Sequence, residues 1–203
     1  SGTGKTNFCL LAAVSQAKKG NKVIYIDTEG GFSTERVKQM AGEEYKKVLE
    51  NILLLKPMDF PEQKKVFDKL HSYLKDEVSL LVVDGLTILY RLDSALARSR
   101  DERGDKNNET RDVNSELVRQ IRILAEIARK HCVPVLVTSQ VYNWEDEQRI
   151  VGGDILKYWA KCWIELRNKD GTRTAFLRKH RSLPEKEINF KIINDGIKKA
   201  GWI

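Results

Sequence analysis

Short apolar runs alternate with amphipathic stretches along most of the chain. The apolar runs are rich in Val, Ile and Leu and lie at residues 22–27, 52–55, 79–84 and 133–138. Continuous runs of this kind are typical of strands that are buried on both faces of a parallel sheet. The stretches between them predict helices at residues 5–19, 34–50 and 61–75, the second interrupted near Gly42. This alternation predicts an α/β fold with a mostly parallel sheet flanked by helices.

Two segments interrupt the alternation. Residues 91–112 have almost no apolar side chain after Leu96 and are dense in charges of both signs, so we expect an exposed, mobile loop there. A long helix follows, with its apolar stripe at Val113, Leu117, Ile121, Leu124 and Ala128. Residues 139–157 form the second irregular stretch.

The last part of the chain has a different pattern, in which short apolar segments flank turn residues. Asp170 and Gly171 lie between two such segments, which is a strong hairpin signal. Residues 187–193 predict a further strand, and Gly196 ends the turn after it. We therefore expect antiparallel C-terminal strands that continue the parallel sheet, within a single domain spanning residues 1–203.

Charge and composition narrow the class of protein. There are 36 Lys and Arg residues against 29 Asp and Glu residues, so the net charge of +7 favours an anionic partner. The three cysteines lie far apart and lack the spacing of a zinc site. No apolar run is long enough to span a membrane and no signal peptide opens the chain, which predicts a soluble, cytoplasmic protein.

The first residues, SGTGKT, match the second half of a phosphate-binding loop and lead directly into a predicted helix. Glycines there allow backbone N–H groups to face phosphates, Lys5 adds a positive charge beside the phosphate oxygens, and the Thr6 hydroxyl can bind Mg²⁺. We expect the strand that feeds this loop, and its first Gly, to precede Ser1. The predicted nucleotide-binding residues here are Ser1, Gly2, Thr3, Gly4, Lys5, Thr6 and Asn7.

Acidic and amide side chains follow three of the predicted strands. Asp84 ends residues 79–84, where it can hold a water on Mg²⁺; alone, it also fits an ordinary core strand that meets a polar turn. Glu29 follows residues 22–27 and can act as the general base for the attacking water, or else as a surface acid that caps the turn at residues 33–36. Gln140 follows the last parallel strand and can sense the γ-phosphate.

Basic and aromatic residues of the two irregular segments are candidates for DNA contact. Guanidinium groups neutralise phosphates, and exposed aromatic rings can stack on unpaired bases. A solvated loop of nearly balanced charge is an equally good interpretation of the first segment. The candidates are Arg91, Arg98, Arg100, Arg103, Lys106, Tyr142, Trp144 and Arg149.

These motifs, in this order, resemble those of the RecA/RadA recombinases, and most closely their archaeal RadB paralogues. The similar segments are YIDTEGGFSTER at residues 25–36, LLVVDGLTILYR at 80–91, VPVLVTSQV at 133–141, VGGDIL, and the closing strands at 178–197. The resemblance implies a RecA-type P-loop ATPase core that uses ATP and Mg²⁺. It also implies that Lys5 and Thr6 bind triphosphate and metal, Glu29 activates water, Asp84 supports the metal, Gln140 couples nucleotide to the second DNA loop, and Arg36 lies near the nucleotide.

Two departures from the family favour an accessory protein with weak, DNA-modulated ATPase activity over a main recombinase. The stretch at residues 140–152 is short for a strand-exchange protein, and we recognise no helix-hairpin-helix domain. The implied partners are single-stranded or branched DNA, the main recombinase or a Holliday-junction nuclease, and a second copy of the chain, in the cytoplasm at the nucleoid. The alternatives are a P-loop kinase for a small molecule, with residues 91–112 as its lid, and an ATP-binding scaffold.

Overall fold

The computed structural model describes residues 2–74, 77–101, 109–144, 147–150 and 154–201. The side chains of residues 101, 142–144, 147–150 and 154 are not part of that description. Among the described helices, none has the length and apolar character that crossing a lipid bilayer requires.

A four-stranded parallel sheet forms the centre of the fold, in the order β2-β1-β3-β4. The strands are β1 (Lys22–Asp27), β2 (Ile52–Leu55), β3 (Val78–Asp84) and β4 (Val135–Val137). The predicted parallel sheet is therefore confirmed, with β4 shorter than the apolar run that contains it. The register places Asp27 beside Asp84, so both strands end at the same edge of the sheet.

Helices cover both faces of this sheet. Those of the first part of the chain are α1 (Lys5–Lys18), α2 (Thr34–Ala41), α3 (Tyr45–Glu50), α4 (Phe60–Asp68) and α5 (Leu70–Tyr73). The predicted break near Gly42 is a short 3-10 turn, and the helix predicted at residues 61–75 is divided at Lys69. Val23 and Tyr25 pack with α1 to α3, whereas Ile24 and Ile26 pack with α4 and α5, as the alternation of side chains along a strand requires.

The expectation of a loop at residues 91–112 is wrong for the described part of that segment. The chain forms α6 (Ile88–Asp101) and, after residues 102–108, which lie outside the described residues, α7 (Glu109–Lys130). The buried face of α6 includes Ser94 and Ala97, whose small side chains give little hydrophobic signal. In α7 the buried stripe ends at Ile127, while Ala128 of the predicted stripe is exposed.

The expectation of irregular structure at residues 139–157 is also wrong for most of its described residues. An antiparallel hairpin forms from β5 (Val141–Trp144) and β6 (Glu147–Ile150), and α8 (Asp154–Trp159) follows. Elements of four to six residues are too short to show a clear hydrophobic period, which is why the sequence pattern missed them.

The C-terminal strands form an antiparallel sheet of their own, in the order β10-β9-β8-β7. They are β7 (Trp163–Lys169), β8 (Thr172–Lys179), β9 (Lys186–Ile193) and β10 (Gly196–Lys199). The predicted hairpin turn is confirmed, since Asp170 and Gly171 both have positive φ, at 51° and 80°.

The expectation that these strands continue the parallel sheet is wrong. The second sheet instead contacts α1 through side chains, because the Phe190 ring packs edge-on against Phe8 with a centroid distance of 5.1 Å. This contact places β9 and β10 beside the first turn of α1.

Candidate nucleotide-binding site

The turn that leads into α1 has the backbone of an anion site. Gly2 and Gly4 have φ of 74° and 103°, a region that glycine adopts without strain. No side chain caps the helix and its first turn contains no acidic residue. The N–H groups at a helix start lack intrahelical acceptors and carry partial positive charge, so the amides of Lys5, Thr6 and Asn7 suit phosphate oxygens. Ser1 lies outside the described residues.

Close packing fixes this turn between two neighbours. A Cβ on Gly4 would lie 3.4 Å from side-chain atoms of both Phe190 and Ile192 on β9. A Cβ on Gly31 would lie 3.1 Å from the Thr6 hydroxyl oxygen, so the loop that follows β1 passes directly over Thr6. The glycines therefore allow the loop after β1 and the second sheet to approach the start of α1.

The two acids after β1 have different environments. Asp27 is 2% exposed, and its carboxylate accepts hydrogen bonds from the backbone N–H groups of Gly31, at 3.1 Å, and Phe32, at 2.9 Å. Asp27 thus closes the loop of residues 28–32. The side chain of Glu29 is exposed, and its Oε1 accepts a hydrogen bond from Gln140 Nε2 at 3.4 Å. The loop therefore separates the two acids and brings Glu29 to Gln140.

The Asp84 carboxylate is completely buried and is held by residues of two other strands or their ends. The Tyr25 hydroxyl donates to Oδ2 at 3.1 Å, and the Thr138 hydroxyl donates to Oδ1 at 2.7 Å. The Cys9 thiol, one turn after Lys5 on α1, is also near enough for Asp84 to raise its pKa. A buried carboxylate needs such partners, because water no longer solvates its charge.

The pKa of the Cys9 thiol shows how near the charged candidates lie to one another. Burial raises this pKa most, Asp84 raises it further, Glu29 adds to the rise and Lys5 opposes it. Burial, Cys9 and Asp84 likewise raise the pKa of the Tyr25 hydroxyl. Both groups therefore stay protonated at neutral pH, and the Tyr25 hydroxyl donates to Asp84. Lys5, Glu29 and Asp84 are thus all close enough to Cys9 to affect its pKa.

Gly85 is a site residue that the sequence reasoning did not single out. Its φ is 93°, and a Cβ there would lie 2.6 Å from the Thr28 hydroxyl oxygen and 2.7 Å from Glu29 Cγ. No other residue type fits without displacing Glu29. The signal available in the sequence was a glycine directly after a strand that ends in an acid. For Tyr25 and Thr138 there was none, because their partner Asp84 is distant in sequence.

The site also fits Mg²⁺. Each Asp84 oxygen accepts one protein hydrogen bond and keeps a second lone pair, so Asp84 suits contact with the ion through water, while the Thr6 hydroxyl lies at the loop after β1. Mg²⁺ usually keeps several waters and takes one or two protein ligands plus phosphate oxygens. In the described part of the chain, no group of three or more His, Cys, Asp and Glu side chains could hold a metal ion without phosphate.

Arg36 lies beside the predicted nucleotide residue Asn7, but its guanidinium is engaged within the protein. All five N–H donors have acceptors: Nε donates to Asn7 Oδ1, Nη1 to Gln39 Oε1 and the Asn194 carbonyl, and Nη2 to the carbonyls of Ile193 and Gly196. Arg36 therefore joins α1 and α2 to the turn between β9 and β10. This geometry leaves it no donor for a nucleotide.

The predicted DNA-contacting residues are only partly described. Arg91, Arg98 and Arg100 lie exposed on α6, and Arg100 also pairs with Glu109 of α7 at 3.2 Å. Arg103 and Lys106 lie outside the described residues, and of Tyr142, Trp144 and Arg149 only the backbone, in β5 and β6, is described. Arg91 and Arg98 are seven residues apart on a helix, so they share a face.

A glycine-rich turn leading into a helix, beside parallel strands that end in acids, is the arrangement of the P-loop α/β proteins. The family model described as Rad51 matches residues 2–200. The chain belongs to the Rad51 family.

Curated relatives and a solved structure agree with this assignment. The DNA repair and recombination protein RadB of Methanobrevibacter smithii is 40% identical over 97% of this chain and 83% of its own length. The protein of the same description from Methanocaldococcus jannaschii is 39% identical over 97% of this chain and 88% of its own. A crystal structure described as the RadB recombinase superposes with a TM-score of 0.77 at 33% identity, covering 98% of this chain and 86% of that one. This chain is thus a RadB-like recombinase paralogue.

We expect Arg36→Lys to destabilise the protein, because lysine keeps the charge but cannot reach the acceptors of a planar five-donor group. The loss should be about 1–3 kcal/mol of unfolding free energy, measured by urea denaturation. Affinity for a fluorescent ATP analogue, measured under conditions where the variant is folded, should stay near that of the parent. Unchanged stability together with weakened nucleotide binding would instead favour direct contact between Arg36 and the nucleotide.

Proposed function

We propose that this RadB-like paralogue binds ATP and Mg²⁺ at the edge of its parallel sheet, and that nucleotide occupancy controls its affinity for DNA. The observation that carries this proposal is the convergence of the α1 turn, Glu29, Asp84 and Gln140 on one edge of the sheet. Gln140 is hydrogen-bonded to Glu29, Glu29 packs against Gly85 next to Asp84, and Gly31 packs against Thr6 of the α1 turn.

Each residue has a distinct proposed task in binding. The amides of the α1 turn, from Gly2 and Thr3 through Asn7, hold phosphate oxygens, and Lys5 offers a charged donor to them. ATP supplies the transferable phosphoryl group, and Mg²⁺ supplies positive charge beside it. Thr6 is the proposed direct ligand of the ion, and Asp84 its partner through water.

Glu29 is the proposed general base. Its carboxylate is exposed and accepts only the long hydrogen bond from Gln140 among the contacts described for it, so an oxygen remains available to orient water and take its proton. An exposed base is a poor catalyst, because bulk water screens the charges of the site. This exposure supports weak ATPase activity in the free protein.

Gln140 is the proposed link to DNA. It contacts Glu29 through its amide and is followed directly by β5 of the hairpin that carries Tyr142, Trp144 and Arg149. A change in how Glu29 is engaged therefore reaches the start of this hairpin. Single-stranded or branched DNA fits the combination of basic and aromatic residues there and on α6.

The cellular role follows from the class of the relatives. A weak ATPase with nucleotide-controlled DNA binding suits modulation of a main recombinase or of a Holliday-junction nuclease, with a second copy of the chain as a further partner. The place of action is then the cytoplasm, at the nucleoid.

Lys5→Ala should weaken binding of ATP about tenfold to a hundredfold, because it removes a charged donor to phosphate. Titration with a fluorescent ATP analogue measures the change. Lys19→Ala is the matched control, since Lys19 is exposed just after the other end of α1 and should leave affinity unchanged. Equal affinity in parent and Lys5→Ala would show that the phosphate site is elsewhere.

Glu29→Gln should lower kcat for ATP hydrolysis about a hundredfold or more while leaving ATP binding nearly unchanged, because the amide keeps its size but cannot accept a proton. The control Glu35→Gln alters another exposed acid of the following helix and should keep the parent rate. A parent-like kcat in Glu29→Gln would assign the base to another group.

Arg98→Ala should weaken binding of single-stranded DNA and reduce the slope of log affinity against log salt by about one phosphate contact. Lys47→Ala, an exposed cation on α3, should change neither quantity. Fluorescence anisotropy with labelled oligonucleotide, with and without ATP, provides both measurements. A protein that phosphorylates a small molecule and ignores DNA in both states would favour the kinase alternative.

A further inference from the structure

A pair of buried glutamines lies in the core on the α7 side of the parallel sheet. Gln63 on α4 and Gln120 on α7 are both 0% exposed. Their surroundings are apolar, with Phe67, Leu86 and Leu117 among the buried residues of that core. Neither glutamine takes part in the nucleotide site, and the sequence pattern did not distinguish either from its neighbours.

The two amides form a directed chain of hydrogen bonds. Gln63 Nε2 donates to the Leu86 carbonyl at 3.1 Å and to Gln120 Oε1 at 2.7 Å. Gln120 Nε2 donates in turn to Glu116 Oε1 at 3.0 Å. Because both acceptors of Gln63 are oxygens, the orientation of its amide is fixed. The chain joins α4 and α7 to the backbone just beyond β3.

At the surface, the chain is closed by an ion pair network. Arg119 Nε pairs with Glu116 at 2.8 Å, and Arg119 Nη2 pairs with Asp68 of α4 at 2.7 Å. The same two helices are therefore linked twice, once in the core by amides and once outside by charges. This double link restricts sliding of α4 along α7.

The backbone that receives the Gln63 bond is the segment of residues 84–88, which we name the junction segment. Its Gly85 N–H donates to the Thr138 hydroxyl at 2.8 Å, and its Gly85 carbonyl accepts from the Thr28 hydroxyl at 2.7 Å. Its Leu86 N–H donates to the Thr138 carbonyl at 3.1 Å. The junction segment thus contacts both loops of the nucleotide site.

The junction segment also begins α6. The N–H of Ile88 donates to the Gly85 carbonyl at 3.0 Å, and that of Arg91 donates to the Thr87 carbonyl at 3.1 Å. A displacement of Gly85 therefore changes the first turn of α6, unless the segment yields at Leu86. The Gln63 bond holds the carbonyl of Leu86.

The glutamine pair does not improve stability in the way an apolar pair would. The Oε1 atom of Gln63 is buried and has no hydrogen-bond partner among the described residues. Burying amides costs free energy that hydrogen bonds only partly recover, and an unmatched acceptor adds to that cost. Directional bonds do, however, fix relative position, which apolar contacts do less well.

We infer that Gln63 and Gln120 are positioning residues that clamp the junction segment to α4 and α7, so that a change at the nucleotide site, carried through Thr28 and Thr138, is transmitted to α6. This inference rests on the proposed function for the nucleotide, but it does not depend on DNA binding. A clamped segment passes on a displacement, whereas a loose one absorbs it.

Hydrogen exchange of α6 amides tests the inference. In the parent protein, Mg²⁺ with the slowly hydrolysed analogue ATP-γ-S should slow exchange in residues 88–92 at least about fivefold. Gln63→Met keeps the side-chain length and removes both donors. The ratio of the exchange rate without nucleotide to the rate with nucleotide should therefore fall towards one. The Gln63→Met/Gln120→Met double variant also removes the Gln120 amide, whose oxygen loses its donor in the single variant, so it should fold at least as well as the single variant and also lose the ratio.

Phe67→Leu is the matched control, because Phe67 is equally buried on the same helix but makes no polar contact. It should lower stability while keeping the parent exchange ratio. Binding of a fluorescent ATP analogue, measured separately on each variant, should be unchanged by the methionine substitutions.

The outcomes distinguish failure of the proposed function from failure of this inference. Failure of the parent to bind nucleotide overturns the proposed function and, with it, this inference. Nucleotide binding without protection of residues 88–92 in the parent, or a parent-like ratio in the methionine variants, overturns the inference alone. If Phe67→Leu also abolishes the protection by nucleotide, any change in core packing has this effect. That result would also overturn the inference.

Discussion

The buried carboxylate of Asp84 is the group on which the arrangement of the site depends. Its charge lies inside the protein, so it requires protein donors, and these come from Tyr25 on β1 and Thr138 after β4. Each donor lies on a different element. Satisfying one buried charge therefore fixes two neighbouring strands relative to β3, and Glu29 and Gln140 follow the ends of these two strands. Hydrogen bonding to Asp84 and apolar packing of the strands therefore favour the same arrangement at this edge of the sheet.

Elements with a strong hydrophobic period could be predicted from the sequence, and those without one could not. The strands at Lys22–Asp27 and Val78–Asp84 are continuous apolar runs, and their parallel pairing was expected from the helices between them. Helix α6 was missed because Ser94 and Ala97 form part of its buried face, so charge density dominates the pattern. Separation of the antiparallel strands into a sheet of their own depends on packing against α1, which no local pattern records.

The candidate site was predictable where a motif combines residue type with position at the end of a strand. Glu29, Asp84 and Gln140 follow that rule, and in the structure Glu29 contacts both Gln140 and the glycine after Asp84. Tyr25, Thr138 and Gly85 follow no such rule, since their importance lies in contacts with residues far away in sequence. Arg36 shows the reverse case, because a position near the nucleotide was inferred from resemblance, while five internal acceptors give it a structural task.

The Arg36 contacts have a consequence for how this family can diverge. Arg36 reaches the turn between β9 and β10 only through main-chain oxygens of Ile193, Asn194 and Gly196, and every amino acid offers such an oxygen. Gly196 itself is constrained, because a Cβ there would approach Leu11 to 3.0 Å. The two residues before it are free to change identity while the anchor persists. The turn between β9 and β10 can thus acquire new surface chemistry, and with it new binding partners, without loss of the Arg36 contacts.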